Sequence, residues 1–553
     1  MAKTKVVVLG GGVAGLSAAH ELSERGFDVE VYELKGIPGG KARSIPNAGT
    51  GTDGRPDLPG EHGFRFFPGF YKHLPDTMKR IPYGTNRLGV FDNLIEGSQF
   101  EVARLGKTDP VYPARFPHSF DEFVRSMREL FTQSLGVPDE EMLYFIDRLL
   151  VILTSCQERR DTEYEKISWW DFIGAAQRSK TYQAYLALGL TRSLVAMRAD
   201  VSSTRTIGAI LPQLFFSMGT PGTTLDRVLD GPTNEVWIDP WITYLEQTQG
   251  VRYTLGAKVV SLDFDGAVIT SATIDFGDGS PPRQVTGDYY VAALPVEVMT
   301  SLVTPALAAA DPALGRLSNL RTEWMNGIQF YLKADVPLAN GHTIFTDSPW
   351  ALTSVSQAQF WDRAIGSYGD GTATGILSVD ISDWNANGIV YGKPARELTT
   401  PQQIVDEVLA QIRAAFPDEP GLADANIAGW FLDPDIIQPN GGSGVTNLEP
   451  LLINTCDSLK DRPGTQTRIP NLLLASDYVL TYTDLATMEA ANEAARRATN
   501  AILAATGSNQ PPCELWPLAE PAIFEPLKVY DYARFELGLP HAGGDMTALL
   551  AKL

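Results

Sequence analysis

Hydrophobic and polar residues at the start of the chain follow a pattern that predicts a strand, a helix and a second strand. Residues 5–9 (KVVVL) form a run of β-branched and apolar side chains, which is typical of a buried strand. A glycine-rich turn follows, and residues 16–26 then read as a helical stretch. A second apolar run over residues 27–32 completes a β-α-β unit, so the sequence predicts a parallel sheet at this end of the chain.

Beyond this unit the periodicity of the apolar residues changes several times. A Gly/Pro/Asp-rich stretch at residues 46–60 predicts a loop, and residues 118–215 carry amphipathic helical segments. From about residue 251 the pattern becomes that of strands, interrupted by helices near the end of the chain. The elements predicted there are strands within 251–265, 267–276, 288–295, 326–334, 375–382 and 471–479, and helices at 401–416 and 486–506, the last one closed by Gly507.

Elements of a nucleotide-binding domain therefore occur at the start, in the middle and at the end of the chain. This order predicts an α/β protein with two interleaved domains. We expect a discontinuous Rossmann-type domain, a mixed α+β substrate domain with a helical insert, and a Pro-rich tail that wraps the surface. The three parts are residues 1–90, 225–320 and 465–506 for the first, 91–224 and 321–464 for the second, and 507–553 for the tail.

Composition and charge exclude several classes of function. Hydrophobic residues at 44% and charged residues at 20% are ordinary for a globular protein, and a net charge of −21 argues against nucleic-acid binding. The three cysteines, at positions 156, 456 and 513, imply neither a disulfide framework nor a metal cluster, and the six histidines show no ligand spacing. We therefore expect no metal site.

The sequence favours a cytoplasmic location. The N-terminus enters the first strand at once, which leaves no room for a signal peptide, and no apolar run approaches the ~18 residues that span a bilayer. The pair Trp169-Trp170 offers one route to peripheral membrane contact, although a buried helix start explains the pair equally well.

The glycine-rich turn has the residue spacing of a dinucleotide site. Gly10 permits a tight turn, Gly12 lets backbone N–H groups approach a pyrophosphate, and Gly15 lets the helix pack close to the strand. The helix N-terminus favours the phosphate charge. Glu33, at the end of the second strand, is suited to accept hydrogen bonds from a ribose 2′-OH and would repel a 2′-phosphate. These residues favour FAD or NAD over NADP.

Four separated segments resemble the FAD-dependent amine oxidase and phytoene desaturase superfamily. They are the glycine-rich site, residues 39–44 (GGKARS), the strand group that contains 257–262 and 291–299, and residues 472–489. The resemblance implies FAD as the cofactor and a Rossmann-type FAD-binding domain of the glutathione reductase kind. Two positions depart from the family pattern, since Ser476 and Ala490 stand where glycine is usual.

The same resemblance implies which residues hold the cofactor. Lys41 or Arg43 supplies a counter-ion for the pyrophosphate, Asp477 meets the ribityl or phosphate region, and the helix that begins at Met488 points its N–H groups at the flavin pyrimidine. The full set is Gly10, Gly12, Val13, Ala14, Gly15, Glu33, Leu34, Gly39, Gly40, Lys41, Ala42, Arg43, Gly63, Phe64, Val259, Ser476, Asp477, Met488 and Glu489.

Residues 61–71 (EHGFRFFPGFY) narrow the resemblance further. They are similar to a strand and turn beside the flavin in plant-type phytoene desaturases and bacterial hydroxysqualene dehydroxylases, and residues 229–262 resemble a second desaturase segment, with Asp230-Gly231-Pro232 and Pro240 in matching positions. The resemblance implies hydride transfer at flavin N5 from a long apolar substrate, by desaturation or by a related isomerisation or dehydroxylation.

Arg65 and His62 are the candidate catalytic residues. Arg65 stands where the desaturases place histidine, and a guanidinium stays charged where an imidazole titrates. It is suited to stabilise anionic reduced flavin or to anchor a carboxylate or carbonyl of the substrate; a salt bridge to a nearby carboxylate is the alternative. His62, three residues away on a strand, would point to the opposite face, and a surface or supporting role is its alternative.

Aromatic residues concentrate in the segments assigned to the substrate domain and beside the flavin. Taken together they suggest an apolar tunnel for a terpenoid or acyl chain, whereas core packing is the alternative for each single ring. The candidate substrate-binding residues are Phe66, Phe67, Tyr71, Phe330 and Trp350.

Two other functions stay open at this point. A flavin amine oxidase would need a lysine near flavin N5, for which Lys333 is the candidate on a suitable strand, together with an aromatic cage. A non-catalytic prenyl-binding relative would need no flavin, and the intact glycines and Glu33 argue against it.

Overall fold

The computed structural model describes residues 3–106, 111–113, 125, 128–193, 197–219, 226–438 and 444–543. Within these ranges the α-helices are Val13–Glu24, His73–Met78, Asp139–Leu153, Gln157–Thr162, Trp169–Phe172, Lys180–Tyr182, Thr204–Gly219, Asp239–Thr243, Val296–Leu302, Pro305–Ala310, Pro312–Arg316, Pro401–Ala415, Met488–Thr506 and Glu525–Glu536. Wider π-helical turns occur at Arg128–Ser134, Gln183–Ser193, Asn234–Ile238 and Tyr244–Thr248. Short 3₁₀ turns are Gly40–Ala42, Gly89–Asn93, Tyr164–Lys166, Ala175–Gln177, Leu317–Asn319, Gln357–Gln359, Ile365–Ser367, Ala395–Glu397, Pro420–Leu422, Asp424–Asn426, Leu459–Asp461 and Ala522–Phe524.

A five-stranded parallel sheet carries the glycine-rich loop. Its strands, in spatial order, are Leu472–Leu474, Tyr289–Ala292, Lys5–Leu9, Asp28–Tyr32 and Arg252–Thr254. The central strand is almost fully buried because helices Val13–Glu24 and Met488–Thr506 cover one face of the sheet, while a three-stranded antiparallel sheet and helix Val296–Leu302 share the core on the other face. This confirms the Rossmann-type arrangement that the N-terminal pattern predicts.

Two helices pack closely on this sheet because their contact residues are small. Ala491, Ala495 and Ala498 of helix Met488–Thr506 are buried in the core shared with helix Val13–Glu24. Gly507 ends the longer helix in the left-handed conformation, with φ +64°. A three-stranded antiparallel sheet lies beside these layers and is formed by Lys258–Phe264, Ile269–Asp275 and Arg283–Val285.

A seven-stranded mixed sheet forms the second part of the molecule. Its spatial order is Ile427–Leu432, Asn326–Leu332, Gly375–Ile381, Leu352–Ser356, Gly341–Phe345, Gln99–Ala103 and Val111–Pro113. Helix Pro401–Ala415 covers one face, begins at a capping box formed by Thr400 and Gln403, and buries Ile404, Val408 and Ile412. We call the opposite side of this sheet the inner face. It packs toward residues 62–66 and the helical insert.

Four two-stranded ribbons complete the list of strands. They are Ser44–Asn47 with Leu58–Glu61, Leu94–Glu96 with Arg227–Leu229, Arg321–Glu323 with Leu451–Ile453, and Ile436–Ile437 with Thr446–Asn447. The first of these ribbons borders the stretch 46–60, so the prediction of a loop there is wrong at both ends. Pro46 and Pro59 face each other in this ribbon, which has no third strand to require their missing N–H groups.

The tail contains a helix, Glu525–Glu536, that the Pro-rich composition did not predict. Asp531 anchors it by an ion pair with Arg159 of the helical insert, at 3.0 Å. Trp169 is fully buried in the core of that insert and Trp170 packs half-buried against it, so Trp169 presents no surface to a membrane. In the described residues no helix is both long and apolar enough to cross a bilayer.

Candidate functional site

The loop between the first strand and the first helix has the shape of an anion-binding turn. Gly10 has φ +100°, and a Cβ there would lie 2.4 Å from the carbonyl oxygen of Ala293. A Cβ on Gly15 would lie 1.9 Å from the carbonyl oxygen of Gly10, so the helix sits directly on the turn. Gly12 caps helix Val13–Glu24, which has no side-chain cap and no acidic residue in its first turn. Its N–H groups are therefore available to an anion.

Glu33 holds this turn in place through main-chain hydrogen bonds. One carboxylate oxygen accepts from the N–H of Gly11 and the other from the N–H of Lys35, both at 2.7 Å. Burial raises the pKa of Glu33, and these two N–H donors act in the opposite direction. A carboxylate has about four lone-pair positions, so capacity remains for ribose hydroxyls.

A second glycine pair faces the first turn. Gly39 and Gly40 have φ values of +107° and +57°, and Gly39 pairs with Gly12 as an isolated parallel bridge. A Cβ on Gly40 would lie 2.8 Å from Cα of Gly12. The two chain segments approach this closely because Gly40 carries no side chain.

The two cations predicted to face the pyrophosphate are both engaged with carboxylates. Lys41 Nζ lies 3.2 Å from Glu297 and also bonds the carbonyl oxygen of Pro450. Arg43 is 3% exposed and pairs with Asp435 at 2.5 Å and with Glu449 at 3.0 Å. A direct role for either cation in cofactor binding remains a prediction, and for Arg43 it would require sharing with two acidic partners.

Residues after the edge strand Leu472–Leu474 of the parallel sheet supply a second helix N-terminus. Ser476 and Asp477 follow strand Leu472–Leu474, and the Ser476 hydroxyl donates to the Asp477 carboxylate at 3.2 Å. Thr487 caps the helix that begins at Met488 by accepting from the N–H of Ala490 at 3.1 Å. The first N–H groups of this helix are left for another acceptor.

Glu489 has a structural role that the sequence did not reveal. Its carboxylate accepts the main-chain N–H groups of Lys72, His73 and Leu74 at 2.7–2.9 Å and contacts His73 Nδ1 at 2.8 Å. It thereby caps helix His73–Met78 from the first turn of another helix. The other ring nitrogen of His73 accepts the N–H of Trp516 at 3.0 Å, which ties the tail to the same point.

The remaining residues predicted to bind the cofactor lie in different surroundings. Val13, Ala14 and Ala42 are buried in the core beneath the glycine loops, and Val259 is buried in the core of the three-stranded sheet. The side chain of Leu34 is 51% exposed. Taken together, the bare glycine turns, the two helix N-termini and Glu33 fit a dinucleotide.

Arg65 binds main-chain carbonyl groups. Its Nε, Nη1 and Nη2 atoms donate to the carbonyl oxygens of Ala42, Gly63 and Lys41 at 3.1, 2.7 and 2.9 Å. Burial lowers the pKa of Arg65, while the carboxylates of Glu61 and Asp380 act in the opposite direction. The guanidinium thus fixes the segment around Lys41 onto the irregular segment that follows strand Leu58–Glu61. A direct contact with flavin or substrate remains a prediction.

His62 lies in a buried polar network. It is 4% exposed, its Nδ1 pairs with Asp433, and Asn326 donates to the same Asp433 oxygen at 2.8 Å. Burial alone would raise the pKa of Asp433, but the hydrogen bond and the charge interaction with His62 lower this pKa to about 2. His62 Nε2 has no hydrogen-bond partner in the described part of the chain and is itself enclosed.

The inner face carries an acidic side chain that sequence analysis missed. Asp380 is half-buried near the end of strand Gly375–Ile381, opposite Gly327. Burial raises its pKa to about 7, although Arg65 and His62 favour the charged form. Only the pairing of distant strands places Asp380 beside residues 61–67, so no local sequence signal marks it.

A second histidine–carboxylate pair on the same face was also missed. His342 pairs with Asp226, and the rings of Phe64 and Phe66 meet its imidazole edge-on, with centroids 4.9 and 5.1 Å away. Phe64 and Phe66 are both half-buried. A contact of either ring with cofactor or substrate remains a prediction.

Three of the rings predicted to bind substrate lie inside cores of the fold. Phe67, Phe330 and Trp350 have no exposed surface. Phe67 packs edge-on against Trp237 in the core of the parallel sheet, and the other two fill the core under helix Pro401–Ala415. Tyr71 is 7% exposed and packs in the first of these cores. Aromatic content alone does not distinguish a core from a cavity wall.

The lysine considered for an amine oxidase lies on the surface. Lys333 follows strand Asn326–Leu332, is exposed, and donates from Nζ to the carbonyl oxygen of Ala425 at 2.7 Å. It therefore contacts none of the inner-face residues described above.

Comparisons with known proteins agree with this geometry. The profile of the family of flavin containing amine oxidoreductases matches residues 13–503. The zeta-carotene desaturase of Synechocystis sp. is 24% identical over 536 residues, which cover 90% of this chain and 97% of that protein. A probable zeta-carotene desaturase of Synechococcus elongatus is 24% identical over 91% of this chain and 99% of its own. The structure of cyclohexylamine oxidase from Brevibacterium oxydans superposes with a TM-score of 0.60 at 14% identity, covering 92% and 100% of the two chains, and shares the fold.

Proposed function

The chain belongs to the family of flavin containing amine oxidoreductases and is an FAD-dependent oxidoreductase, and we propose that it dehydrogenates a long apolar isoprenoid of the carotenoid class. The observation that carries this proposal is the similarity to two zeta-carotene desaturases along nearly the full length of all three chains. The desaturase-like segment 61–71 lies beside the inner face, where Gly327 donates its N–H to the carbonyl oxygen of His62 and the ring of Phe64 meets His342. The reaction proposed is desaturation of a carbon–carbon bond.

Bound FAD supplies a two-electron oxidant that accepts hydride at N5. The N–H groups at the starts of helices Val13–Glu24 and Met488–Thr506, together with Glu33, would hold it. Phe64 and Phe66 offer apolar surface to the substrate, and the inner face of the mixed sheet closes the other side of the site. These groups orient the substrate and exclude water.

Removing the Glu33 carboxylate should weaken FAD binding. Glu33→Ala loses the acceptor for ribose hydroxyls, where each charge-assisted hydrogen bond contributes about 1.5–3 kcal/mol. It also frees the N–H groups of Gly11 and Lys35, so the turn itself loses two hydrogen bonds. We therefore expect the variant to lose FAD during dialysis. The flavin absorbance of the protein fraction measures how much FAD is retained.

Glu30→Ala is the matched control for this variant. Glu30 lies on strand Asp28–Tyr32, which ends directly before Glu33, and it bonds Lys5, Tyr32 and Arg252. It should retain FAD like the unmodified protein. Full retention by Glu33→Ala would show that Glu33 only fixes the turn.

The amine oxidase alternative is disfavoured by the position of Lys333 on the surface. The prenyl-binding alternative without flavin is disfavoured by the intact glycine turns and by membership of a flavin-containing family. Neither alternative has an observation of its own that favours it.

Anaerobic reduction of the bound flavin tests the substrate class. The oxidised protein is mixed with C30–C40 isoprenoids, with free fatty acids and with primary amines, and the flavin absorbance near ~450 nm is followed. We expect bleaching by isoprenoids. Bleaching by amines alone would overturn the proposal, and bleaching by fatty acids alone would replace isoprenoids with acyl chains as the substrate.

A further inference from the structure

Asp380 lies on the inner face of the mixed sheet. Its neighbours on the strand, Val379 and Ile381, are buried in the core under helix Pro401–Ala415. Because side chains alternate along a strand, Asp380 points to the opposite side, toward residues 62–66. The adjacent strand residues Val379 and Ile381 are apolar and lie on the opposite face, so they do not hydrogen-bond the Asp380 carboxylate.

Two glycines leave the space that the Asp380 carboxylate occupies. A Cβ on Gly63 would lie 2.7 Å from Oδ1 of Asp380, and a Cβ on Gly327 would lie 3.0 Å from the same atom. Gly327 also donates its N–H to the carbonyl oxygen of His62 at 2.5 Å, which fixes the segment that carries Gly63. The carboxylate is therefore set in a gap between two backbones.

One oxygen of the Asp380 carboxylate accepts no hydrogen bond in the described residues. The N–H of Phe64 bonds the group, whereas Oδ1 is buried and has no partner within the described ranges. The side chain as a whole is half-buried, so part of it faces the space beside Phe64. A buried carboxylate oxygen without a donor costs free energy, and a buried group with specific charge partners at such a place is a candidate functional group.

The groups around Asp380 allow it to change its charge near neutral pH. Arg65 and His62 from segment 61–67 and His342 from strand Gly341–Phe345 face it, and each favours the ionised form. Neighbouring strands Asn326–Leu332 and Leu352–Ser356 oppose it with Gly327 and Thr353, which carry no charge. Burial is the largest influence and raises the pKa of Asp380 to about 7.

We propose that Asp380 is the catalytic base that accepts the proton released during dehydrogenation, with Gly63 and Gly327 shaping its position. This inference rests on the proposed function. One substrate C–H bond breaks and its electron pair leaves with the hydrogen as hydride to the oxidised cofactor. The C–H bond on the adjacent carbon breaks, its proton passes to an oxygen of Asp380, and the remaining electron pair forms the new C=C bond. Solvent later takes the proton from the neutral acid.

The substitution Asp380→Asn tests the role of the charge at nearly unchanged shape. In single-turnover reduction by an isoprenoid substrate, the rate for the unmodified protein should rise with pH and level off above about pH 7, since the ionised base is the active form. Asp380→Asn should be at least about 100-fold slower, with no such rise. Its FAD content should be unchanged.

Asp335→Asn is the matched control. Asp335 is half-buried too, bonds Ser356 at 2.8 Å, and has a pKa that burial raises. Asp335 contacts Gly375, the first residue of strand Gly375–Ile381. The rise per residue of a strand places Gly375 about 16 Å from Asp380. This variant should keep the rate and the pH profile of the unmodified protein.

A second variant keeps the inference testable if Asp380→Asn also disturbs the site. Asp380→Ala should be slow, and added formate should restore part of the rate, because a small carboxylate fits the space left by the side chain. Thermal unfolding supplies a readout that needs no substrate. A native pKa raised above the unfolded value of about 3.9 means that the native state binds the proton more tightly.

Stability of the unmodified protein should therefore fall as the pH rises from about 4 to about 7 on account of this group. Asp380→Asn should melt at a higher temperature than the unmodified protein at pH 8, and the difference should vanish toward pH 4. A reduction rate and pH profile in Asp380→Asn equal to those of the unmodified protein would overturn the assignment of Asp380 alone. Absence of reduction of the unmodified protein by every isoprenoid would overturn the proposed function, and this inference with it.

Discussion

Gly12→Ala should give a folded protein that no longer retains FAD. Gly12 has φ −74° and ψ −170°, a conformation that alanine adopts without strain. Its added Cβ would lie 3.6 Å from Cα of Gly40, an ordinary van der Waals distance. The methyl group would occupy the space between the two glycine turns, where a pyrophosphate must approach the N–H groups of the helix. We expect an affinity loss of at least tenfold, or about 1.4 kcal/mol.

Two further variants show whether this loss is specific. Gly36→Ala, on the loop between Glu33 and Gly39, places a Cβ in open space and should retain FAD. Gly15→Ala would place its Cβ 1.9 Å from a main-chain oxygen and should lower the melting temperature as well. FAD content after gel filtration and thermal melting are the measurements. A yellow Gly12→Ala protein with unchanged affinity would show that the pyrophosphate does not bind at this turn.

Glu489→Ala should cause the largest loss of stability among single substitutions near the site. The carboxylate is 2% exposed and accepts three main-chain N–H groups and the His73 ring. Its removal leaves these donors without an acceptor in a buried place, which costs on the order of 3–5 kcal/mol. Because helix Met488–Thr506 and helix His73–Met78 meet through this group, FAD retention should fall as well.

Denaturant unfolding measures this loss, with Glu536→Ala as the control. Glu536 ends the exposed tail helix, and its substitution should change stability by no more than about 0.5 kcal/mol. Glu489→Gln keeps one acceptor oxygen and should fall between the two. A Glu489→Ala protein that unfolds at the denaturant concentration of the unmodified protein would contradict this account of the contact between the two helices.

The glycine turn and the first two strands could be predicted because their constraints are local. Lys5–Leu9, the turn from Gly10 to Gly15 and Glu33 lie within thirty residues, and each step requires a residue type that the sequence shows directly. Helices Pro401–Ala415 and Met488–Thr506 were predictable for the same reason, since their caps and apolar spacing are contiguous.

Contacts between distant segments could not be predicted in this way. Glu489 caps a helix more than 400 residues away, and Asp380 reaches segment 61–67 only through the strand order of the mixed sheet. Arg43 pairs with Asp435 and Glu449, which lie 392 and 406 residues further along the chain. A sequence shows the charge of such residues but not which charges meet.

The sequence also did not show which aromatic side chains are buried. Phe330 and Phe66 are the same residue type on segments that meet at the mixed sheet, yet one fills the core and the other is half-buried against His342. The difference comes from strand alternation and from which face helix Pro401–Ala415 covers. Neither is visible before the strands are paired.

The most direct test of the central claim is the stoichiometry of a single anaerobic turnover. The oxidised protein is mixed with a limiting amount of a C40 isoprenoid. The amount of reduced flavin is determined by absorbance, and the mass of the product is determined by mass spectrometry. We expect one carbon–carbon double bond gained and two hydrogen atoms lost for each flavin reduced. Reduced flavin without any such product, or product of unchanged mass with the flavin still oxidised, would contradict it.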